Sequence, residues 1–180
     1  FYVPAMRIDE DPRSDFAIHQ NRKELKEKSK ELLLDYPENR LVKQLKKCAV
    51  EYNCLCARNF FLSRHEAPVP TSPACNARCV GCLSFQEESG EFVASQNRLD
   101  FKPTPEEIAE VIIHHFERVE NGIASFGQGC EGEPLLQADV IENAILRIRK
   151  KTDRGTINLN SNSSLPKAVA KLAEAGLDSL

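Results

Sequence analysis

The sequence predicts an α/β fold: an incomplete parallel (βα)n sheet, curled as part of a barrel, behind an N-terminal helical extension. Three observations lead there. From Glu66 onward short apolar runs alternate with amphipathic helical stretches. The helical stretches open and close on recognisable capping signals. The strands are joined by helices and lie close in sequence, which requires parallel pairing through right-handed crossovers.

Residues 1–19 show no period and read as an irregular arm. Residues 21–36 are charged and helix-forming, with Leu25, Leu32 and Leu33 as a thin apolar stripe and Glu24–Lys28 as an i,i+4 pair. Pro37 breaks this helix. A second helix carries Leu41, Val42, Leu45, Cys48, Ala49 and Tyr52 on one face. Residues 1–65 thus form the extension, and residues 66–180 the sheet-bearing part. Residues 67–72 read as a strand. Pro68 and Pro70 remove two donors from the same side, which suits a sheet edge.

Thr104-Pro-Glu-Glu107 is a capping box with proline at the first helical position. Ile108, Val111, Ile112, Phe116 and Val119 form the buried face of that helix. Residues 123–126 are a short strand running into glycines. Asp139 is expected to cap the next helix, with Ile141, Ala144, Ile145 and Ile148 inward. Its basic end (Arg147, Arg149, Lys150, Lys151) suits the negative pole of the helix dipole. Residues 156–160 are the third strand. Ser163 or Ser164 is expected to cap a last helix that stops at Gly176. Residues 177–180 read as the start of one more strand. That start implies a piece of a longer protein, expected by itself to self-associate and to turn over little substrate.

An apolar fraction of 41% and a charged fraction of 28% are ordinary for a globular chain. A net charge of −3 gives no indication of nucleic-acid binding. No apolar run reaches the roughly 20 residues of a membrane span, so no membrane association is expected. Seven cysteines, three of them within eight residues, suit metal binding in a reducing, cytoplasmic setting better than a disulfide framework.

Those three are Cys75, Cys79 and Cys82, spaced by three residues and then two. Three thiolates on one short loop can hold three irons of a [4Fe-4S] cubane and leave the fourth open to a ligand. The loop follows a parallel strand, at the carboxyl end where such sheets bind ligands. The alternative is a zinc site completed by Cys130 or His65, although no second cysteine knuckle is present.

A second motif runs Gly127-Gln-Gly-Cys-Glu-Gly-Glu-Pro134. Its glycines allow close backbone approach, and Glu133 offers a carboxylate to an ammonium group. The alternative is a glycine-rich turn with a solvated acid. A third, Asn158-Leu-Asn-Ser-Asn-Ser-Ser164, places hydroxyls and amides at a strand end, where they suit a ribose or carboxylate, or simply a helix cap.

Together these motifs resemble the radical S-adenosylmethionine (radical SAM) superfamily, and residues 66–180 resemble the first half of its partial barrel. The resemblance implies that Cys75, Cys79 and Cys82 ligate a [4Fe-4S] cluster. Glu131-Gly132-Glu133-Pro134 takes the place of the family's Gly-Gly-Glu motif, with Glu131 replacing its first glycine. Glu131, Gly132 and Glu133 then contact S-adenosylmethionine through its methionyl amine, and Ser161 and Asn162 contact it from the third strand. The implied activity is reductive cleavage of S-adenosylmethionine to a 5′-deoxyadenosyl radical that abstracts hydrogen from a substrate. An electron donor such as a flavodoxin or ferredoxin is implied as partner. The family usually has an aromatic residue before the last cysteine, and here Gly81 stands there. A non-catalytic iron–sulfur or zinc module, or an inactive piece of such an enzyme, is the competing reading.

Cys48 lies on an apolar helix face, where a buried thiol is the usual outcome. Cys54 and Cys56, one residue apart, are unusually placed for a cubane, and Cys130 reads as a small core residue. His114 and His115 read as structural.

Overall fold

A computed structural model describes residues 21–87 and 93–180. The arm expected at residues 1–19 lies outside these residues. Three helices come first: α1 (Arg22–Asp35), α2 (Arg40–Val50) and α3 (Leu55–Phe61). Then follow β1 (Glu66–Pro68), α4 (Pro105–Arg118), β2 (Ile123–Phe126), α5 (Ala138–Lys151), β3 (Thr156–Leu159) and α6 (Pro166–Ala175). A short 3-10 turn, Pro134–Gln137, leads into α5.

The sheet is parallel in the order β1-β2-β3. Ala67 pairs with Ala124 and Ala124 with Ile157, while Pro68 pairs with Ser125 and Ser125 with Asn158. β1 is the edge, as its prolines require, but it is shorter than the 67–72 run. Beyond Pro68 the chain turns towards the cysteine loop after one more bond, Val69 N–H to the Ser125 carbonyl at 2.8 Å. Ser179 makes a single parallel bridge to Asn158, where a fourth strand was expected to begin.

Alternation sorts the sheet into two faces. Ala67, Val69, Ala124, Phe126, Ile157 and Leu159 are fully buried. They share one core with Ile108 and Ile112 of α4 and with Ile141, Ile145 and Ile148 of α5. The opposite face carries Glu66, Ser125 and Asn158. The expected inner faces of α2, α4 and α5 are all buried except Tyr52, which packs against the core half-buried. Glu24 and Lys28 do pair, at 2.8 Å.

Three local expectations are corrected. Asp139 is not the cap of α5: the 3-10 turn runs straight into the helix, and Asp139 sits in its first turn, bonded to Lys171 at 2.7 Å. Neither Ser163 nor Ser164 caps α6, which begins after Leu165 without a side-chain cap. Helix α3 was not foreseen. Its seven residues are too few to show a period, and tertiary burial of Ala57, Phe60 and Phe61 stabilises it instead.

Helix α2 is tied to α4 by Glu107. Its side chain closes the capping box on the Thr104 N–H at 2.8 Å. It also accepts from the backbone N–H, Nε and Nη2 of Arg40, at 2.8, 2.8 and 2.7 Å. Asn39, which caps α2, donates to the Glu107 carbonyl at 3.0 Å. Burial raises the Glu107 pKa, but these donors outweigh it and the net shift is downward. The stabilisation from this group is therefore complete above the unfolded carboxylate pKa and fades as pH falls through the lower folded value. Glu107→Ala should cost about 2–3 kcal/mol at neutral pH, by loss of the cap and the charged hydrogen bonds. The cost should shrink on acidification. Urea melts at pH 7 and pH 3 measure both.

Candidate functional site

Three loops leave the carboxyl ends of β1, β2 and β3, and the cysteine motif and the two polar motifs that follow it lie on them, whereas His65, Cys48, Cys54 and Cys56 do not. The first carries Cys75, Cys79 and Cys82. The second contains Gly127 to Glu133, and the third runs from Asn160 to Ser164. Among the described residues none of the three contains a strand or an α-helix, so each depends on the other two for its shape.

Glu131 joins the first loop to the second. Its carboxylate is buried, 6% exposed. One oxygen accepts from the Thr71 and Ser72 N–H groups at 2.8 and 3.0 Å, the other from the Gly127 N–H at 2.5 Å. Its carbonyl accepts from the Ser84 hydroxyl at 2.9 Å. Burial pushes the Glu131 pKa up to about 7, against the pull of the surrounding N–H donors.

Gly132 and Glu133 extend the same junction like a short ladder. Gly132 N–H donates to the Ser72 carbonyl at 2.7 Å and Glu133 N–H to the Ala74 carbonyl at 2.9 Å. A β-carbon on residue 132 would lie 2.0 Å from the Ala74 carbonyl oxygen and 3.0 Å from the Cys75 nitrogen. Only glycine admits this approach, which sets the second motif directly against the start of the cysteine loop.

Glu133 joins the second loop to the third. Its side chain is 4% exposed and caps the Pro134–Gln137 turn through the Leu135 N–H at 3.0 Å. It also accepts from the Ser161 hydroxyl at 2.6 Å and the Asn162 N–H at 3.0 Å. Asn76 closes the triangle. It donates to the Ser164 hydroxyl at 2.8 Å and accepts from Asn162 Nδ2 at 2.8 Å.

The structure thus brings Glu131, Gly132, Glu133, Ser161 and Asn162 together, against the base of the cysteine loop. The three thiols line one hollow of about 420 Å³ with Arg78, Phe85 and Arg98. Cys79 is exposed, while Cys75 and Cys82 are half-buried. Arg98 Nη2 lies 3.7 Å from Cys82 Sγ, and the Ser84 hydroxyl is also at 3.7 Å. Burial raises the Cys82 pKa, but hydrogen bonds from Ser84, Phe85 and Arg98 bring the net shift downward, towards the thiolate that binds metal. Gly81 has φ +76°, a conformation that strains an aromatic L-residue, and the ring at this hollow is Phe85 instead. Arg98 lies over that ring, with its guanidinium carbon 5.1 Å from the centroid.

Sequence reasoning did not single out Asn76, Phe85 or Arg98. Asn76 lies inside the cysteine motif, so its position was available as a signal; the other two carried none. Cys130 turns away into the core, its sulfur 3.4 Å from Cys48 Sγ. Neither it nor His65 lines the thiol hollow.

Residues 69–180, more than half of the chain, match the family model described as the Radical SAM superfamily. The chain belongs to the radical SAM superfamily. No curated protein and no solved structure matches it. Radical SAM proteins generally use a [4Fe-4S] cluster and S-adenosylmethionine. The donor set here fits that group, since three cysteine sulfurs on one irregular loop are soft ligands of the type iron–sulfur clusters take. Among the described residues no three His, Cys, Asp or Glu side chains form a group able to hold a single metal ion. A cubane asks for a wider arrangement, with each thiolate on a different iron.

Glu131→Gln tests the loop junction. An amide cannot accept at both ends, so at least one backbone N–H is left facing a donor. The expected loss is about 1–3 kcal/mol, read by chemical denaturation. The sign with pH is also set. A carboxylate whose folded pKa is raised binds its proton more tightly in the folded state. Its contribution to stability therefore declines as pH rises from the ordinary carboxylate range to about 7, and is flat above. The variant should lack that decline.

Proposed function

We propose that residues 66–180 are the first half of the S-adenosylmethionine-cleaving core of a radical SAM enzyme, with Cys75, Cys79 and Cys82 as the ligands of a [4Fe-4S] cluster. The observation that carries this reading is the approach of Gly132 to Ala74 and Cys75, which sets an acidic, glycine-bearing loop against the cysteine loop. The bound cluster and S-adenosylmethionine supply reductive cleavage of the sulfonium C–S bond and a 5′-deoxyadenosyl radical that takes hydrogen from a substrate.

The chain's own residues bind and orient. Glu131 and Gly132 fix the second loop beside the cysteines. Glu133 holds Ser161 and Asn162 in place and offers its remaining acceptor capacity to the methionyl ammonium. A carboxylate has about four lone-pair sites, and three are engaged here. Ser161 and Asn162 then face the cofactor's polar groups from the third loop. Arg98 and Phe85 shield the Cys82 side of the hollow from water. Exposed Cys79 and Val80 keep the loop near the surface, as reduction by a separate flavodoxin- or ferredoxin-type donor requires. No helix among the described residues is long and apolar enough to cross a membrane.

Anaerobic reconstitution with iron and sulfide, followed by assay of 5′-deoxyadenosine, tests the whole reading. A purely structural iron–sulfur or zinc module would hold metal and leave S-adenosylmethionine intact. Replacing Cys75, Cys79 and Cys82 together by Ala should abolish the broad cluster absorbance near roughly 400 nm that cubanes show. Full iron and sulfide content in that variant would assign the cluster to other cysteines. Glu133→Gln should weaken S-adenosylmethionine binding by about 1.5–3 kcal/mol without loss of iron, since the ammonium then faces a neutral amide in place of a carboxylate. Calorimetry on the reconstituted variant measures this, and unchanged affinity would move the ammonium site elsewhere.

A further inference from the structure

The sheet face turned away from α4 and α5 carries polar side chains in register. Ser125 and Asn158 are paired neighbours, Glu66 comes two residues before Pro68 on β1, and Ser179 bridges to Asn158. Their hydrogen bonds run in one direction. The Ser179 hydroxyl donates to Asn158 Oδ1 at 2.6 Å, and Asn158 Nδ2 donates to Ser125 Oγ at 3.1 Å. The Ser125 hydroxyl then donates to Glu66 Oε1. Gln128 Nε2, from the second loop, donates to the same oxygen. The donors of this row therefore converge on one carboxylate, and all of them are neutral.

Two acceptors are left over. Among the described residues Glu66 enters no ion pair, and its Oε2 accepts no hydrogen bond. Gln128 Oε1 is buried and has no partner. Turning that amide over would set two acceptors against each other, so its orientation is determined by Glu66. A buried acceptor without a donor, such as Gln128 Oε1, is costly, and the solvent-open Oε2 of Glu66 beside it carries a charge that no cation of the described residues matches. One group satisfies both: a cation carrying several N–H donors. Neutral donors alone would leave the charge unmatched, and an anion would be repelled.

We propose that this face recognises the substrate through Glu66 and Gln128, and that the substrate carries a primary ammonium or guanidinium group. The inference rests on the enzyme reading above, in that the ligand here is the substrate of that site. Glu66 supplies the opposite charge, Gln128 Oε1 takes a second N–H, and the Ser125–Asn158–Ser179 row fixes the carboxylate.

The test uses the reconstituted chain with n-butylamine and agmatine as cationic probes and n-butanol as the uncharged control. Affinities are read by ligand-observed NMR titration, and S-adenosylmethionine affinity is measured on the same samples. Both cations should bind at least about tenfold more tightly than butanol, and Glu66→Gln should lose that margin. Gln128→Leu keeps the charge and removes the orphan acceptor, and should cost about threefold or more, which keeps the test open if Glu66→Gln misfolds. Cations that bind no better than butanol, or equally well in Gln128→Leu, overturn the proposal. Equal loss of S-adenosylmethionine and cation affinity in Glu66→Gln also overturns it, by giving Glu66 to the methionyl ammonium. Glu66-dependent cation binding by a chain that never binds S-adenosylmethionine would sink the enzyme reading and leave the cation site standing.

Discussion

Two buried carboxylates, Glu131 and Glu133, hold the carboxyl end of this sheet together. Among the described residues the three loops there contain no helix of their own to stiffen them apart from one short turn, and their backbone donors need acceptors. Glu131 collects N–H groups from the first and second loops. Glu133 collects them from the second and third. With Asn76 bridging the first and third, the loops form a closed set in which none moves alone. The cysteine loop owes its position to this set, because its base is clasped by Gly132 and Glu133 through Ser72 and Ala74.

This arrangement assigns different work to two adjacent acids. Glu131 is enclosed, and its carboxylate and carbonyl are both taken by neighbours. Its hydrogen bonds hold the first two loops together. Glu133 sits at the joint with the third loop, where Ser161 and Asn162 also stand. A glycine at position 131, as in the motif this stretch resembles, would leave the Thr71, Ser72 and Gly127 N–H groups to find other acceptors. Here a side chain supplies them.

Below the loops the sheet separates two environments. One face is closed by the isoleucines of α4 and α5. The other is polar and organised around Glu66. The group of helices α1–α3 is joined to this frame at the start of α4, where Glu107 serves its own helix cap and Arg40 together. It also shares the core through Leu41, Leu45 and Phe60.

Much of this was legible in the sequence because its cause is local. The period of Ile108, Ile112 and Phe116, the Thr104–Glu107 box and the proline pattern of β1 act over a few residues, and the structure follows them. The cysteine spacing and the acidic glycine motif were readable as patterns for the same reason. Helix α3, the start of α5 and the uncapped start of α6 were not, since burial and the preceding turn determine them and local propensity does not. The sequence by itself determined the alternation of strands and helices and the residues proposed to carry the chemistry. Only the tertiary structure decided what each acid does, which loop each one clasps, that Cys130 faces Cys48, and that Glu66 ends a row of donors. Those outcomes depend largely on hydrogen bonds between residues 21 to 88 positions apart, which no local pattern encodes.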